Sequence, residues 1–294
     1  WGTSPAMTAI RRTVEKIAPT DATVLITGEN GTGKDVLAHE IHSRSLRKDR
    51  PMVAVDAGAI TETLFESELF GHVKGAFTDA HADHIGKFEH ADGSTLFLDE
   101  IGNITPHLQA KLLRAIQNRS IVPVGGTQAR PVNIRLICAT NMNIEALVRE
   151  GKFREDLYYR INTVPIALPP LRERSGDIVP LAERFIGNFA QKYHRNIKGL
   201  DESAKAALLG HRWSGNIREL QNCLEKAVIL ADRDVIGAED LQIDSSASGL
   251  RMTNSCHPDR EAGDEESMVR EAMRRSGGNI SSAAKMLGIS RPTM

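Results

Sequence analysis

The sequence predicts a three-layer α/β domain built on a parallel sheet, followed by a small all-α domain and the start of a helix-turn-helix. Strand-like runs alternate with amphipathic helices over residues 1–170, which is typical of a parallel sheet with helices on both faces. Residues 171–244 carry apolar side chains only at helical spacing. A polar linker over residues 245–264 then leads to short helical patterns over residues 265–294.

The elements follow in order from local signals. Ser4 and Pro5 predict the start of a first helix, and Pro106 starts another after Thr105. Strand composition is found over residues 24–27, 52–55, 94–98, 121–124, 132–139 and 163–167. Glycines at 125 and 126 predict a hairpin-like excursion before the strand at 132–139. In the second domain the spacing predicts helices over residues 178–193, 203–209 and 216–230.

The turn between the first strand and the second helix predicts a phosphate-binding loop of the pattern GxxxxGK. Its backbone amides and the helix N-terminus favour an anion, and Lys34 would neutralise the phosphates. Asp35 stands where a Ser or Thr usually binds magnesium, and a carboxylate can hold that ion through water. The predicted nucleotide-binding residues are Gly28, Glu29, Asn30, Gly31, Thr32, Gly33, Lys34 and Asp35.

A second apolar run, residues 94–98, ends in Asp99 and Glu100. Ligands of open α/β sheets bind beyond the carboxyl ends of the strands, so this pair is predicted to face the phosphate loop. We expect Asp99 to hold Mg²⁺ and Glu100 to activate a water for attack on the γ-phosphate of ATP. Without the neighbouring loop, a solvated acidic turn would be the alternative.

The charge balance gives no global attraction to nucleic acid or membrane. Lys and Arg number 37 and Asp and Glu number 38, so any contact with DNA must be local. Cys138, Cys223 and Cys256 have no CxxC spacing, which is typical of a reducing compartment. With no apolar run of membrane-spanning length, we expect a cytoplasmic protein. The absence of an initiator Met before Trp1 suggests a piece of a longer chain.

One loop is specific to a known family. The segment Glu68 to Ala80 is similar to the GAFTGA loop of the sigma-54-dependent bacterial transcription activators, a branch of the AAA+ ATPases, which the chain resembles from Thr3 to its end. The resemblance implies a sigma-54 contact through Gly75, Ala76, Phe77, Thr78, Asp79 and Ala80, with Asp79 standing where the family usually has Gly. From the residues alone, a Phe packed into the core is the favoured alternative.

The resemblance assigns further roles at the nucleotide. Residues 151–160 are similar to the segment bearing two arginine fingers, which implies that Arg154 and Arg160 reach the γ-phosphate of a neighbouring subunit. On the residues alone, two surface arginines near acidic neighbours are the favoured alternative. Arg218 corresponds to sensor II and Asn141 to sensor I. Asp56 stands where the family usually has an Asn that restrains the catalytic Glu.

Residues 277–294 are similar to the Fis-type helix-turn-helix of the family, with the third helix barely begun. The resemblance implies DNA contacts through Ser290, Arg291 and Thr293, because the third helix enters the major groove. Taken alone, an ordinary helical hairpin is equally possible.

These inferences predict an ATP- and Mg²⁺-dependent ATPase that remodels sigma-54 RNA polymerase to allow promoter opening. The resemblance implies a hexameric or heptameric ring assembled from dimers, with an enhancer-like DNA site as a further partner. The alternative is a DNA-binding regulator in which ATP controls assembly without contact to sigma-54. Asp79 and Asp56 keep that alternative open.

Overall fold

The computed structural model describes residues 2–58, 62–78 and 80–243. The predicted linker, the predicted helix-turn-helix and Asp79 lie outside the described residues. The strands of the α/β part are β1 (Val24–Thr27), β2 (Val53–Asp56), β3 (Thr95–Asp99), β4 (Ser120–Ile121), β5 (Arg130–Pro131), β6 (Arg135–Thr140) and β7 (Val164–Ala167). Its helices are α1 (Pro5–Ile17), α2 (Lys34–Ser43), α3 (Glu62–Phe70), α4 (Lys87–His90), α5 (Pro106–Asn118), α6 (Ile144–Arg149) and α7 (Glu155–Ile161).

Five strands form one parallel sheet in the order β2-β3-β6-β1-β7. Apolar residues of β1 and β3 alternate between two core clusters: Leu25 and Leu98 pack on one side, Ile26 and Phe97 on the other. This alternation confirms the predicted three-layer α/β architecture. Because β3, β6 and β1 are neighbours, the residues that follow their carboxyl ends meet at one edge of the sheet.

The hairpin-like excursion is present but shorter than predicted. Only Ser120–Ile121 pairs, antiparallel, with Arg130–Pro131. Pro123 has no backbone N–H and cannot continue the strand predicted over residues 121–124. The strand predicted from residue 132 begins at Arg135, because the Val132 amide donates to the Arg119 carbonyl and keeps that part in the hairpin.

The second part is a helical domain made of α8 (Ile178–Lys192), α9 (Glu202–Gly210) and α10 (Asn216–Leu230). Its core centres on Trp213, which is buried and donates its indole N–H to the Leu208 carbonyl at 2.8 Å. A short parallel pair, β8 (Gly199–Leu200) with β9 (Val235–Ile236), accompanies the helices. Across the residues that the structure describes, every helix is too short or too polar to span a bilayer.

A buried carboxylate fixes the start of the helical domain to the start of α1. Asp177 Oδ1 accepts from the amides of Thr3 and Ser4 at 2.6 and 2.7 Å, and Oδ2 accepts from Ser4 Oγ at 2.7 Å. Ser4 Oγ in turn caps α1 by accepting from the Met7 amide. One carboxylate therefore satisfies the donors at a junction between residues far apart in sequence.

We predict that Asp177→Ala destabilises the protein by about 2 kcal/mol, because it leaves buried amides without an acceptor. Asp177→Asn retains one acceptor oxygen and is expected to cost less. Urea unfolding followed by circular dichroism measures both. Equal unfolding midpoints for the wild type and Asp177→Ala would contradict the role given to this carboxylate.

Candidate active site

The phosphate loop has the backbone geometry that its glycines permit. Gly31 and Gly33 have φ of 76° and 96°, in the left-handed region that glycine adopts without strain. Gly33 is the residue before α2, so the loop ends on a helix N-terminus. Lys34 is buried, and its Nζ donates to the Gly28 carbonyl at 3.1 Å. An incoming phosphate can take the place of the Gly28 carbonyl as the acceptor for Lys34 Nζ.

The acidic pair lies beside this lysine, at the carboxyl end of β3. Glu100 has φ of 53°, which turns the chain sharply after the strand. Its Oε1 lies 3.7 Å from Lys34 Nζ, and its Oε2 accepts from the Asn141 amide at 3.3 Å. The chain thus brings together the residues proposed for phosphate neutralisation, water activation and sensor I.

Asp99 has the surroundings of a magnesium ligand. Burial raises the pKa of Asp99, the charges of Glu100 and Asp56 add to the rise, and the Glu100 amide and Lys34 oppose it. An incoming cation would relieve this unfavourable burial of charge. No group of three His, Cys, Asp or Glu side chains forms a metal cage within the described ranges. Asp99 therefore fits a Mg²⁺ whose other ligands are phosphates and water.

Asp56 and Asp35 lie near this centre in different settings. Asp56 is opposite Asp99 in the sheet register, and its Oδ1 accepts from the Gly58 amide at 2.8 Å. Glu100 is held instead by the Asn141 amide and Lys34. Asp35 is exposed in the first turn of α2. The contacts to the Glu100 carboxylate therefore come from Asn141 and Lys34, whereas Asp56 bonds to the Gly58 amide.

The helical domain touches the phosphate loop through backbone. The Ile217 amide, in the first turn of α10, donates to the Gly31 carbonyl at 2.9 Å. A Cβ placed on Gly31 would lie 2.3 Å from the Gly215 carbonyl oxygen and 3.0 Å from Arg218 Cβ. Arg218, the candidate sensor II residue, thus lies beside the loop and is exposed.

Asn216 was not singled out from the sequence, although it joins the two parts. It is buried with φ of 55°, and its Nδ2 donates to the Asn30 carbonyl at 3.0 Å and to Glu29 Oε2 at 3.1 Å. Its Oδ1 accepts from the Leu171 amide at 2.8 Å. The signal in the sequence was a Gly-Asn pair at the start of a predicted helix, since Asn adopts left-handed geometry more readily than most residues.

Two arginines after the Pro169-Pro170 pair were also missed. Arg172 pairs with Glu29 through both carboxylate oxygens, at 2.8 and 2.5 Å. The hydrogen bonds from Arg172 and Asn216 hold the pKa of Glu29 at about 2. Arg174 is buried and donates to the Thr32 carbonyl at 2.8 Å. Arg172, Arg174 and Asn216, all from the helical side, therefore hold the loop through hydrogen bonds.

The two candidate arginine fingers lie on and before α7. Arg154 pairs with Asp156, with Nη2 2.7 Å from Oδ2. Arg160 is exposed, and its guanidinium has no hydrogen-bond or ion-pair partner among the described residues. Within that same part of the chain, neither side chain bonds to its own phosphate loop or Glu100.

The candidate sigma-54 loop is a tight turn after α3. The Gly75 amide donates to the Ala80 carbonyl at 2.8 Å, and the Ala80 amide donates to the Phe77 carbonyl at 3.0 Å. Phe77 is 43% exposed, with its ring edge against His72 at a centroid distance of 4.9 Å. Thr78 is exposed as well. Phe77 thus lies at the surface, resting on an imidazole, rather than in the core.

Family models match successive parts of the chain. The Sigma-54 interaction domain family matches residues 1–167, the AAA+ ATPase lid domain matches 172–255, and the Bacterial regulatory protein, Fis family, matches 265–294. The chain is 44% identical over 293 residues to the transcriptional regulatory protein ZraR of Salmonella typhi, covering all of this chain and 66% of that protein. It is also 44% identical to the nitrogen fixation protein AnfA of Azotobacter vinelandii, covering 99% of this chain and 55% of that one.

A solved structure shares the fold. NtrX from Brucella abortus in complex with ATP is 35% identical, with a TM-score of 0.75, and the match covers all of this chain and 67% of NtrX. The sigma-54 domain match spans more than half of the chain, and the AAA+ lid match follows it over the helical domain. This chain belongs to the sigma-54-dependent transcription activators, a branch of the AAA+ ATPases.

Proposed function

We propose that this chain hydrolyses ATP and uses the hydrolysis to remodel sigma-54 RNA polymerase so that promoter DNA opens. The observation that carries the proposal is the meeting of Lys34, Glu100 and Asn141 at one sheet edge, beside a glycine loop that ends on a helix. Family membership supports the target, and the ATP complex of NtrX supports the nucleotide.

The residues divide the hydrolysis between them. The loop amides and Lys34 bind the phosphates, and Asn141 holds Glu100 where it can orient a water on the γ-phosphate. Glu100 takes a proton from that water as its oxygen attacks phosphorus and ADP leaves. Asp99 would hold Mg²⁺ together with the phosphates, and the bound ion would supply charge neutralisation. Arg218 lies beside the loop. Its guanidinium would bind the phosphates and so make the position of the helical domain depend on the nucleotide.

Catalysis is proposed to require a neighbouring subunit. Arg160 is exposed and unpaired among the described residues, and Arg154 pairs only with Asp156 there, so both can reach outward. A positive guanidinium from the next subunit would stabilise charge on the transferring phosphoryl group. The assembly we propose is a ring, hexameric or heptameric.

The output is proposed to pass through Phe77 and Thr78, whose exposure leaves them free to meet sigma-54. A rigid aromatic ring is an effective anchor at a protein interface. DNA is proposed to bind through the Fis-type segment, with Ser290, Arg291 and Thr293, which lie outside the described residues. Because the proposed target is RNA polymerase, the proposed compartment is the cytoplasm.

Glu100→Gln is predicted to bind ATP with wild-type affinity and to lose hydrolysis by about 100-fold or more, because the amide cannot accept the proton of the water. Promoter opening by sigma-54 holoenzyme should be lost in parallel. ATP binding, phosphate release and permanganate reactivity of the promoter measure the three properties. Glu150→Gln, on an exposed turn, is the matched control. Rapid hydrolysis by Glu100→Gln would sink the assignment of the base.

Arg160→Ala is predicted to bind ATP and to lose hydrolysis, and mixing it with Glu100→Gln should restore part of the activity. The mixed ring contains sites with an intact Glu100 from one subunit and an intact Arg160 from the next. Phosphate release from each variant and from the mixture measures this. Arg149→Ala, an exposed arginine on α6, is expected to behave as wild type. If the two inactive variants assemble together and the mixture stays inactive, Arg160 does not act at the ATP site of a neighbouring subunit.

A further inference from the structure

We propose that Asn30 is a positioning residue through which the helical domain sets the position of Glu100. The inference rests on the proposed ATPase activity and deepens it. Asn30 is an exposed residue of the phosphate loop, and its side chain and its backbone carbonyl point to different parts of the molecule. The side chain bonds to Asn141 at the sheet edge, and the backbone carbonyl bonds to Asn216 of the helical domain.

The side chain of Asn30 acts on the sheet edge. Its Oδ1 accepts from Asn141 Nδ2 at 3.0 Å. The backbone N–H of the same Asn141 donates to Glu100 Oε2 at 3.3 Å. Asn141 thus carries one bond to the candidate base and one to the phosphate loop, so its orientation depends on Asn30.

The backbone of Asn30 is held by the helical domain. Its carbonyl accepts from Asn216 Nδ2 at 3.0 Å, and the next carbonyl, that of Gly31, accepts from the Ile217 amide at 2.9 Å. Asn216 is wholly buried, and a Cβ at Gly31 would overlap the Gly215 carbonyl. A shift of the first turn of α10 therefore has to move Asn30 with it.

A series of hydrogen bonds, which we call the relay, lets the helical domain act directly on the position of the candidate base. Asn216, Asn30, Asn141 and Glu100 are joined in series, with each step a hydrogen bond between residues of different elements. The Asn30–Asn141 bond is exposed, so water competes with it when no nucleotide is bound and it adds little to stability. A bound nucleotide would exclude that water, and the bond would then hold the base in place for turnover.

The test is a double-mutant cycle on Asn30 and Asn141. Asn30→Ala is expected to lower kcat about five- to tenfold, which is the scale of one hydrogen bond, with the Kd for a fluorescent ATP analogue within about twofold of wild type. In the Asn141→Ala background, Asn30→Ala should have little further effect, because its route to Glu100 is already broken. Unfolding midpoints of the wild type and Asn30→Ala should agree.

Asn143→Ala is the matched control. Asn143 lies two residues beyond Asn141 and caps α6 by accepting from the Ala146 amide, so its loss loosens the same edge without touching the relay. Its kcat is expected to match wild type. Unchanged kcat in Asn30→Ala would overturn the relay, and so would losses in the double variant equal to the product of the two single losses.

A second readout needs no hydrolysis. Amide hydrogen exchange of residues 141–143 is measured with ADP and with ADP plus aluminium fluoride, in the wild type and in Asn30→Ala. The analogue is expected to protect this segment in the wild type and to protect it less in the variant. Equal protection in both proteins would refute the relay. A wild type that shows the difference but does not hydrolyse ATP would refute the proposed function and leave the relay standing.

Discussion

A close backbone approach at Gly31 joins the phosphate loop to the helical domain. The Ile217 amide donates to the Gly31 carbonyl, and any side chain at Gly31 would overlap the Gly215 carbonyl. The loop can hold its left-handed geometry and the first turn of α10 can sit on it only because residue 31 has no Cβ. The backbone that is predicted to bind the phosphates therefore also contacts the helical domain.

Polar contacts surround this point and make the junction responsive to charge. Glu29 is held by Arg172 and Asn216, Thr32 by Arg174, and Asp177 ties the start of α8 to α1. An apolar junction would tolerate sliding, whereas hydrogen bonds fix both distance and direction. In the proposed ATPase, a change of phosphate charge in the loop would act on these hydrogen bonds and so on the angle of the helical domain.

The features predictable from the sequence are those encoded within one short segment. The strand, glycines and Lys34 lie within a dozen residues, and Asp99-Glu100 follows its strand directly, so local pattern and the sheet-edge rule place both. Asn216 and Arg172 could not be placed this way, because each reaches a loop residue more than 140 positions earlier in the chain. The restraint on Glu100 through Asn141 likewise depends on strand order, which hydrophobic periodicity does not determine.

The most direct test of the account is whether the chain captures sigma-54 when the site holds ADP plus aluminium fluoride, with ADP alone as the reference. The analogue imitates the transferring phosphoryl group. The account predicts a complex only with the analogue, lost in Phe77→Ala and kept in Ile85→Ala, an exposed apolar residue outside the turn. A chain that hydrolyses ATP but forms no such complex would contradict it and favour a DNA-binding regulator switched by nucleotide.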